Sequence, residues 1–531
     1  MEKIIRNPIL RGFHPDPSIL RVEEDYYIAT STFQWFPGVQ IYHSRDMVHW
    51  QFLCRPLDSK RLLDLTGVPD SGGVWAPCLS YDKGMFYLVY SIIWTYKNYY
   101  KDVDNYLVKA EDLKGPWSDP VYLNSSGFDP SLFHDLDGRK YLVNQLFNHR
   151  DKNNQFLGIV LQEYDEKQKK LIGKPENIFR GSSLGTTEGP HIYRMDGYYY
   201  LMCAEGGTFY EHAVTVARSR NLRGPYEVDP NNPLLTSYGS PELELQKSGH
   251  GSLVQTKSGE LYLVHLCARP EKNQGRCMLG RETAIQKLEK TEDGWFCLFG
   301  GGNTPRTEVP APDLPVWDPD KKGKRSDFGE GLPEEFQTLR EPEEPGWIRF
   351  DRAAKSMFLM GRKSLESMHY QSMVARRRED FCFDAETKLI FEPDNFQQMA
   401  GMALYYDSMN YIYMNISYDD TYGKMINILE CDGGTITRIG DMVPLDISCT
   451  VYLRMKIRDA KGMFEWSYDG IEYKMLSGEF DVTHMSDDYY EEHTTGLRFT
   501  GTFIALCCQD VSGQKKEAEF LYFDYRGYDT I

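Results

Sequence analysis

One segment is written into this chain five times. The copies read DPSILRVEEDYYIA from Asp16, APCLSYDKGMFYLV from Ala76, DPSLFHDLDGRKYLV from Asp129, GPHIYRMDGYYYLM from Gly189 and HGSLVQTKSGELYLV from His250. In each, a Pro or Gly (Pro17, Pro77, Pro130, Pro190, Gly251) precedes an aromatic (Tyr27, Tyr87, Tyr141, Tyr200, Tyr262) by ten or eleven residues. The pattern is an apolar strand, a tight turn rich in Lys-Gly, Asp-Gly or Ser-Gly, and a returning aromatic strand. A spacing of about 50 to 60 residues marks a repeat architecture, in which one unit cannot bury its apolar face alone. Five units with further strands between them predict a five-bladed β-propeller whose innermost strands surround a channel.

The residues just before each Pro or Gly are Asp16, Trp75-Ala76, Asp129, Glu188-Gly189 and His250. If each copy opens an innermost strand, these side chains converge at one mouth of the channel. Three carboxylates, a Trp and a His around one pocket are the makings of an acid/base site. Each has a plainer competitor: Asp before Pro also initiates turns, Glu188 could be an edge charge, and Trp75 could be packing between blades. Repetition in register favours the site. His250 stays open between a core histidine, a water-holding residue and a divalent-cation ligand. The other aromatic pairs read as blade packing.

At 531 residues the chain is too long for one core and is expected to hold two domains. The repeat ends near GRETAIQKLEKTEDGWFCLFGG, and a Pro-, Gly- and charge-rich stretch from Gly301 has no strand pattern, which puts the boundary near Pro315. The expected domains are therefore 1–314, the propeller, and 315–531. Beyond the boundary, alternating segments such as CTVYLRMKIRD and AEFLYFDYRGYD, separated by turns at Asp432-Gly433-Gly434 and Asp469-Gly470, predict a β-sandwich. No helical periodicity is evident. The formal charge of −18 argues against nucleic acid and anionic membranes as partners. No apolar stretch suits a signal peptide or a membrane span. Eleven scattered cysteines without metal-ligand spacing fit reduced thiols, so the expected location is the cytoplasm.

The motifs GFHPDPS, ATSTFQWFPGVQIYHSRDMVHW, GGVWAPCLSY, GFDPSLF, TTEGPHIYR and GRETAIQ together resemble glycoside hydrolase family 43, most closely its two-domain β-xylosidases. The resemblance runs over essentially the whole chain and implies a propeller followed by a sandwich. It implies Asp16 as general base, Glu188 as general acid, and Asp129 as the residue that orients the acid and tunes its pKa. It also implies Phe33, Trp75 and Arg281 as substrate-binding residues; His250 joins them as a candidate from its place in the repeat. It places a Phe of the second domain at the pocket mouth, for which Phe503 in FTGTF is the candidate. One departure is visible: Cys78 stands where relatives often carry a His.

The implied activity is an inverting, exo-acting β-D-xylosidase on short xylooligosaccharides, with a secondary α-L-arabinofuranosidase activity. The alternatives are an arabinofuranosidase or arabinan-degrading enzyme of the same family and a non-catalytic sugar-binding propeller. A retaining fructan hydrolase would need an Asn-Asp-Pro nucleophile motif, and the first repeat reads His-Pro-Asp-Pro instead. No cofactor is required, with a calcium ion near His250 left open. The resemblance implies a homo-oligomer, a tetramer by family habit. Chemically, one protonated carboxyl must serve the leaving oxygen while an ionised one activates water about 6.5 to 9.5 Å away. An ionised Asp129 beside Glu188 would raise the acid's pKa by repulsion.

Overall fold

The computed structural model describes residues 3–97, 99–150, 154–319, 325–446, 450–493 and 497–528. Each repeat opens one antiparallel four-stranded blade, the fourth blade carrying a fifth short strand. The innermost strands are Ser18–Val22, Gly73–Asp82, Ser131–His134, Glu188–Met195 and Gln246–Gln255. Each pairs with the strand bearing the repeat tyrosine, so the turn motif of every copy is a β-hairpin.

Every blade–blade junction has its own apolar cluster. Ile41, Leu79 and Leu88 join the first two blades, and Tyr87, Leu107 and Leu142 the next pair. Val143, Ile192 and Leu201 follow, then Tyr200, Val216 and Leu263. Ile28, Tyr262 and Ile285 close the ring between the last blade and the first. The repeat tyrosines are therefore packing residues. The ring is also closed by hydrogen bonds near its ends: Ile4–Arg6 pairs with Glu308–Pro310, and the Asn7 side chain exchanges two hydrogen bonds with the Ile285 backbone at 2.7 and 2.8 Å.

The second domain is a sandwich of a nine-stranded and an eight-stranded sheet around a core that includes Phe383, Leu404, Leu453, Phe464 and Phe520. In the nine-stranded sheet, Cys382–Ile390 and Thr450–Arg458 alternate strictly between buried and partly exposed residues, as strands covered on one face do. In the eight-stranded sheet, Gln398–Asp407 and Phe503–Asp510 are buried nearly throughout. The reason is that one face meets the other sheet and the opposite face meets the propeller. A cluster containing Phe13, Phe33, Trp35 and Trp75 from the propeller and Tyr405, Phe499, Phe503 and Cys507 from the sandwich fills that interface.

The last propeller strand ends at Pro310 and the first strand of the sandwich begins at Arg325. We propose the domain boundary near Pro315, between them; residues 320–324 of the linker lie outside the described residues. The division in sequence is not clean in space, because Trp35–Phe36 of the propeller adds an edge strand to the eight-stranded sheet, opposite Thr338 and Leu339. Among the described residues the all-β chain carries one short helix, Asp487–His493. Seven residues make barely two turns, too few for a periodic apolar stripe to show in the sequence. Among the described residues no helix is long and apolar enough to cross a membrane.

Candidate active site

The five repeat positions share an unusual backbone. Asp16, Ala76, Asp129, Gly189 and His250 all have positive φ, between 35° and 56°. Four of the five are not glycine, so the left-handed conformation is held against its steric cost. In the second, fourth and fifth blades it coincides with a break in the pairing register, between Trp75 and Cys78, Glu188 and His191, and Gly249 and Ser252. An irregularity of this kind turns a strand and re-aims a side chain. Where the left-handed residue carries the functional group, that group is Asp16, Asp129 or His250. Where it is Ala76 or Gly189, the group is one residue earlier, Trp75 or Glu188. Gly189 is needed at its position because a Cβ there would lie 3.2 Å from His250 Cε1 in addition to the positive φ.

These side chains line one cavity of about 210 Å³. Asp16, Phe33, Trp75, Asp129, Glu188, His250 and Arg281 all reach it, joined by Lys101, Phe128, Phe156, Thr208, Phe209, Leu497 and Phe499. Phe503 does not. It is fully buried beneath the site, stacked on Trp35 at 4.1 Å between ring centroids and set against Phe13 at 5.9 Å. The aromatic that the sandwich presents to the cavity is Phe499, four residues earlier in the same motif. Phe503 opens a strand, paired with Arg377 and Tyr405, so its side chain follows the sheet. Phe499 precedes the strand and its backbone N–H donates to Ser71 Oγ at 3.2 Å. Ser71 in turn accepts the Trp75 indole N–H on its carbonyl at 2.8 Å. One serine thus fixes both aromatics, whose rings meet edge to face at 5.5 Å.

The carboxylates differ in their surroundings. Asp16 Oδ2 accepts the Ser31 hydroxyl at 2.6 Å, and Ser31 Oγ accepts the Ala76 N–H at 2.7 Å. The strained residue of the second blade therefore holds the carboxylate of the first. His250 Nδ1 stands 3.9 Å from Asp16 Oδ1. Asp129 Oδ2 accepts the Gly189 N–H at 3.0 Å, which ties it to the residue following Glu188. The start of the Glu188 strand is anchored from behind, where Thr187 Oγ1 donates to Glu205 at 2.6 Å.

Burial raises the pKa of Glu188 to about 7, with the charge of Asp16 adding and Lys101 and Arg281 opposing. Burial likewise lifts Asp129 well above the carboxylate range, followed by the charges of Glu188 and Asp16, while the Gly189 N–H and Lys101 pull it down. The rise at Glu188, expected from repulsion by Asp129, comes instead from removal from water, and the carboxylate that adds to it is Asp16. Burial lowers Lys101, partly offset by Glu188 and Asp129. Its ammonium lies 4.5 Å from the Phe128 ring and 5.9 Å from the Trp75 ring. Nothing in the local sequence KNYYKD marks Lys101. Phe128, directly before Asp129 in GFDPS, had the better signal.

Cys78 lies elsewhere. It lines the channel beneath the cavity with Ser131, His191, Tyr193 and Ser252, its sulfur 3.9 Å from His191 Nδ1. Among the described residues no three His, Cys, Asp or Glu side chains are grouped as a metal site.

Residues 5–296 match the model for glycosyl hydrolases family 43, and residues 325–526 match the β-xylosidase C-terminal concanavalin A-like domain. The chain is 46% identical to xylosidase/arabinosidase 43B from Humicola insolens over 98% of this chain and 97% of that one. It is 45% identical to a β-xylosidase from Bacillus subtilis strain 168 over 98% and 99% of the two chains. The crystal structure of xylan β-1,4-xylosidase from Bacillus halodurans C-125 superposes with a TM-score of 0.96 at 51% identity, covering 98% of this chain and all of that one. The carboxylate-lined pocket on the propeller and the sandwich behind it thus fall within these matches: the chain is a glycoside hydrolase and belongs to glycosyl hydrolases family 43.

Proposed function

We propose that the protein is an exo-acting β-D-xylosidase that releases xylose from the non-reducing ends of short xylooligosaccharides with inversion at the anomeric carbon. The observation that carries this reading is the set of left-handed strand openings, which bring Asp16, Asp129 and Glu188 to one cavity from three different blades. Fixed carboxylates on separate blades suit single displacement, in which water must fit between the base and the sugar.

The proton belongs on Glu188. The two carboxyls share one proton, because the charge of Glu188 lifts Asp129, and it falls to Glu188 since Asp129 accepts a backbone N–H, a bond that favours its ionised form. Glu188, raised to about 7, then holds a proton near neutral pH and can give it to the glycosidic oxygen as the bond breaks. Asp16, oriented by Ser31, takes a proton from water as that water attacks the anomeric carbon. The balance is one water consumed, one glycosidic bond broken, one proton received by Asp16 and one lost by Glu188. Asp129 touches neither proton and acts through Glu188. The chemistry needs no cofactor.

Trp75 and Phe499 offer apolar faces to a sugar ring, and Arg281 offers buried N–H donors to its hydroxyls. A small cavity closed on one side by the sandwich admits a chain end and excludes a chain middle, which supports exo action. A secondary α-L-arabinofuranosidase activity is part of the proposal, favoured by the relative named xylosidase/arabinosidase.

The test is anomer-resolved proton NMR of the first minutes of xylobiose hydrolysis. Initial α-xylose is expected; initial β-xylose would make Asp16 a nucleophile. A panel of p-nitrophenyl glycosides should rank the β-D-xyloside first. Mid-chain fragments from polymeric xylan would end the exo reading.

A further inference from the structure

Arg281 is buried against the cavity, yet its Nε and Nη2 atoms have no hydrogen-bond partner among the described residues. Its guanidinium lies over the Phe499 ring at 4.7 Å. The carboxylate nearest it comes from the other domain: Asp487 Oδ2 is 3.9 Å from Arg281 Nε. That separation is too long for a hydrogen bond but well within range of a strong charge–charge interaction in a dry site.

The Asp487 carboxylate is not free to move closer. The Tyr406 hydroxyl donates to its other oxygen. The residue beside it is clamped as well, because Asp488 accepts Lys247 Nζ at 2.6 Å and the Cys277 N–H at 2.7 Å. Two successive carboxylates at the start of one short helix thus face two buried propeller cations, and only one of the pairs closes to hydrogen-bond distance.

We infer that Asp487 is a positioning residue for Arg281: it balances the guanidinium charge from a distance that leaves the N–H donors open for sugar hydroxyls. A closer carboxylate would consume those donors. Without any carboxylate, a buried cation would stand uncompensated and be drawn toward Asp16 and Glu188. This inference rests on Arg281 being a substrate-binding residue, as proposed above.

The groups facing Asp487 are Arg281, Lys247 and Cys277 from the propeller and Tyr406 and Asp488 from the sandwich. Burial pushes Asp487 up to about 6, with Asp488 adding and Arg281, Lys247 and the Tyr406 hydroxyl opposing. Its charge is present above that value and is lost as pH falls through it, so KM should rise on the acid side.

The experiment is steady-state kinetics with p-nitrophenyl β-D-xyloside, plus inhibition by D-xylose, for Asp487→Asn, Tyr406→Phe, Arg281→Ala and the Asp487→Asn/Arg281→Ala double variant. Asp487→Asn should raise both KM and the inhibition constant about tenfold, with kcat changed less than about twofold. It should also remove the acid-side rise in KM. Tyr406→Phe should move KM the same way by a smaller factor. On the Arg281→Ala background, Asp487→Asn should add less than about twofold, the non-additivity of residues acting through one another. Unchanged KM in a folded Asp487→Asn protein, or fully additive losses in the double variant, would overturn the inference. Should Asp487→Asn fail to fold, Tyr406→Phe decides by the same criterion. A large effect of Arg281→Ala with none from Asp487→Asn refutes the positioning role alone. No effect of Arg281→Ala refutes the substrate-binding reading and the inference together.

Discussion

The propeller and the sandwich contribute to the same cavity in opposite ways. From the propeller, five side chains arrive by one device, a left-handed residue in or just before each innermost strand. From the sandwich, Leu497 and Phe499 arrive on a segment before a strand, and Asp487 stands behind Arg281 on a short helix. A repeat converts periodicity along the chain into convergence in space, so its chemistry is concentrated and self-registering. The sandwich has no such symmetry. It shapes and electrically balances a site whose reacting groups it does not supply. The double burial of its propeller-facing sheet and the interface cluster of aromatics make this possible, because a lid residue can be aimed only from a rigid support.

This contrast can be broken first at the reacting groups. Asp16→Asn should lower kcat/KM by about 10²–10⁴-fold on xylobiose and on an aryl xyloside alike, since water must be activated whatever leaves. Retained activity on either substrate would move the base elsewhere. Glu188→Ala should cost as much on xylobiose but far less on p-nitrophenyl xyloside, whose leaving group needs little protonation. Equal losses on the two substrates would strip Glu188 of the acid role.

The sandwich side is sharpened by two phenylalanines in one motif. Phe503→Ala should destabilise the protein by about 3–5 kcal/mol, seen in a denaturant titration, because it empties a stacked site against Trp35. Phe499→Ala should raise KM for xylotriose and lower the unfolding midpoint by less, since its ring faces the cavity on one side. If the two variants behave alike, the division between lid and support is wrong.

Smaller effects test how one blade holds another. Ser31→Ala removes the donor to Asp16 and should reduce kcat roughly tenfold, in keeping with about 1.5 kcal/mol for a hydrogen bond to a charged group. The pH profile is the finest probe. Activity should fall as pH rises through about 7, where Glu188 loses its proton. Asp129→Asn removes a negative neighbour, which lowers the pKa of Glu188 and moves that alkaline limb to lower pH. A limb that stays in place would separate Asp129 electrostatically from the acid.

The sequence by itself determined the repeat, and with it the blade number, the strand hairpins and the side chains that meet at the mouth. Hydrophobic alternation likewise determined that the second half is built of strands. Both are local properties: a turn, a period of two, and an Asp or Glu at a constant place before Pro or Gly. Tertiary structure alone decided what depends on distant partners. Lys101 reaches the site from an irregular segment and Asp487 stands behind Arg281 at the start of a two-turn helix, and neither has a period to betray it. The choice of Phe499 over Phe503 turned on where a strand begins, set by pairing with residues about 100 positions earlier. Trp35–Phe36, a propeller segment, completes a sandwich sheet because an unpaired edge there would leave backbone groups without partners in a buried interface. The dominant cause of Glu188's raised pKa, removal from water inside the pocket, is likewise a property of the assembled fold and of no single stretch of chain.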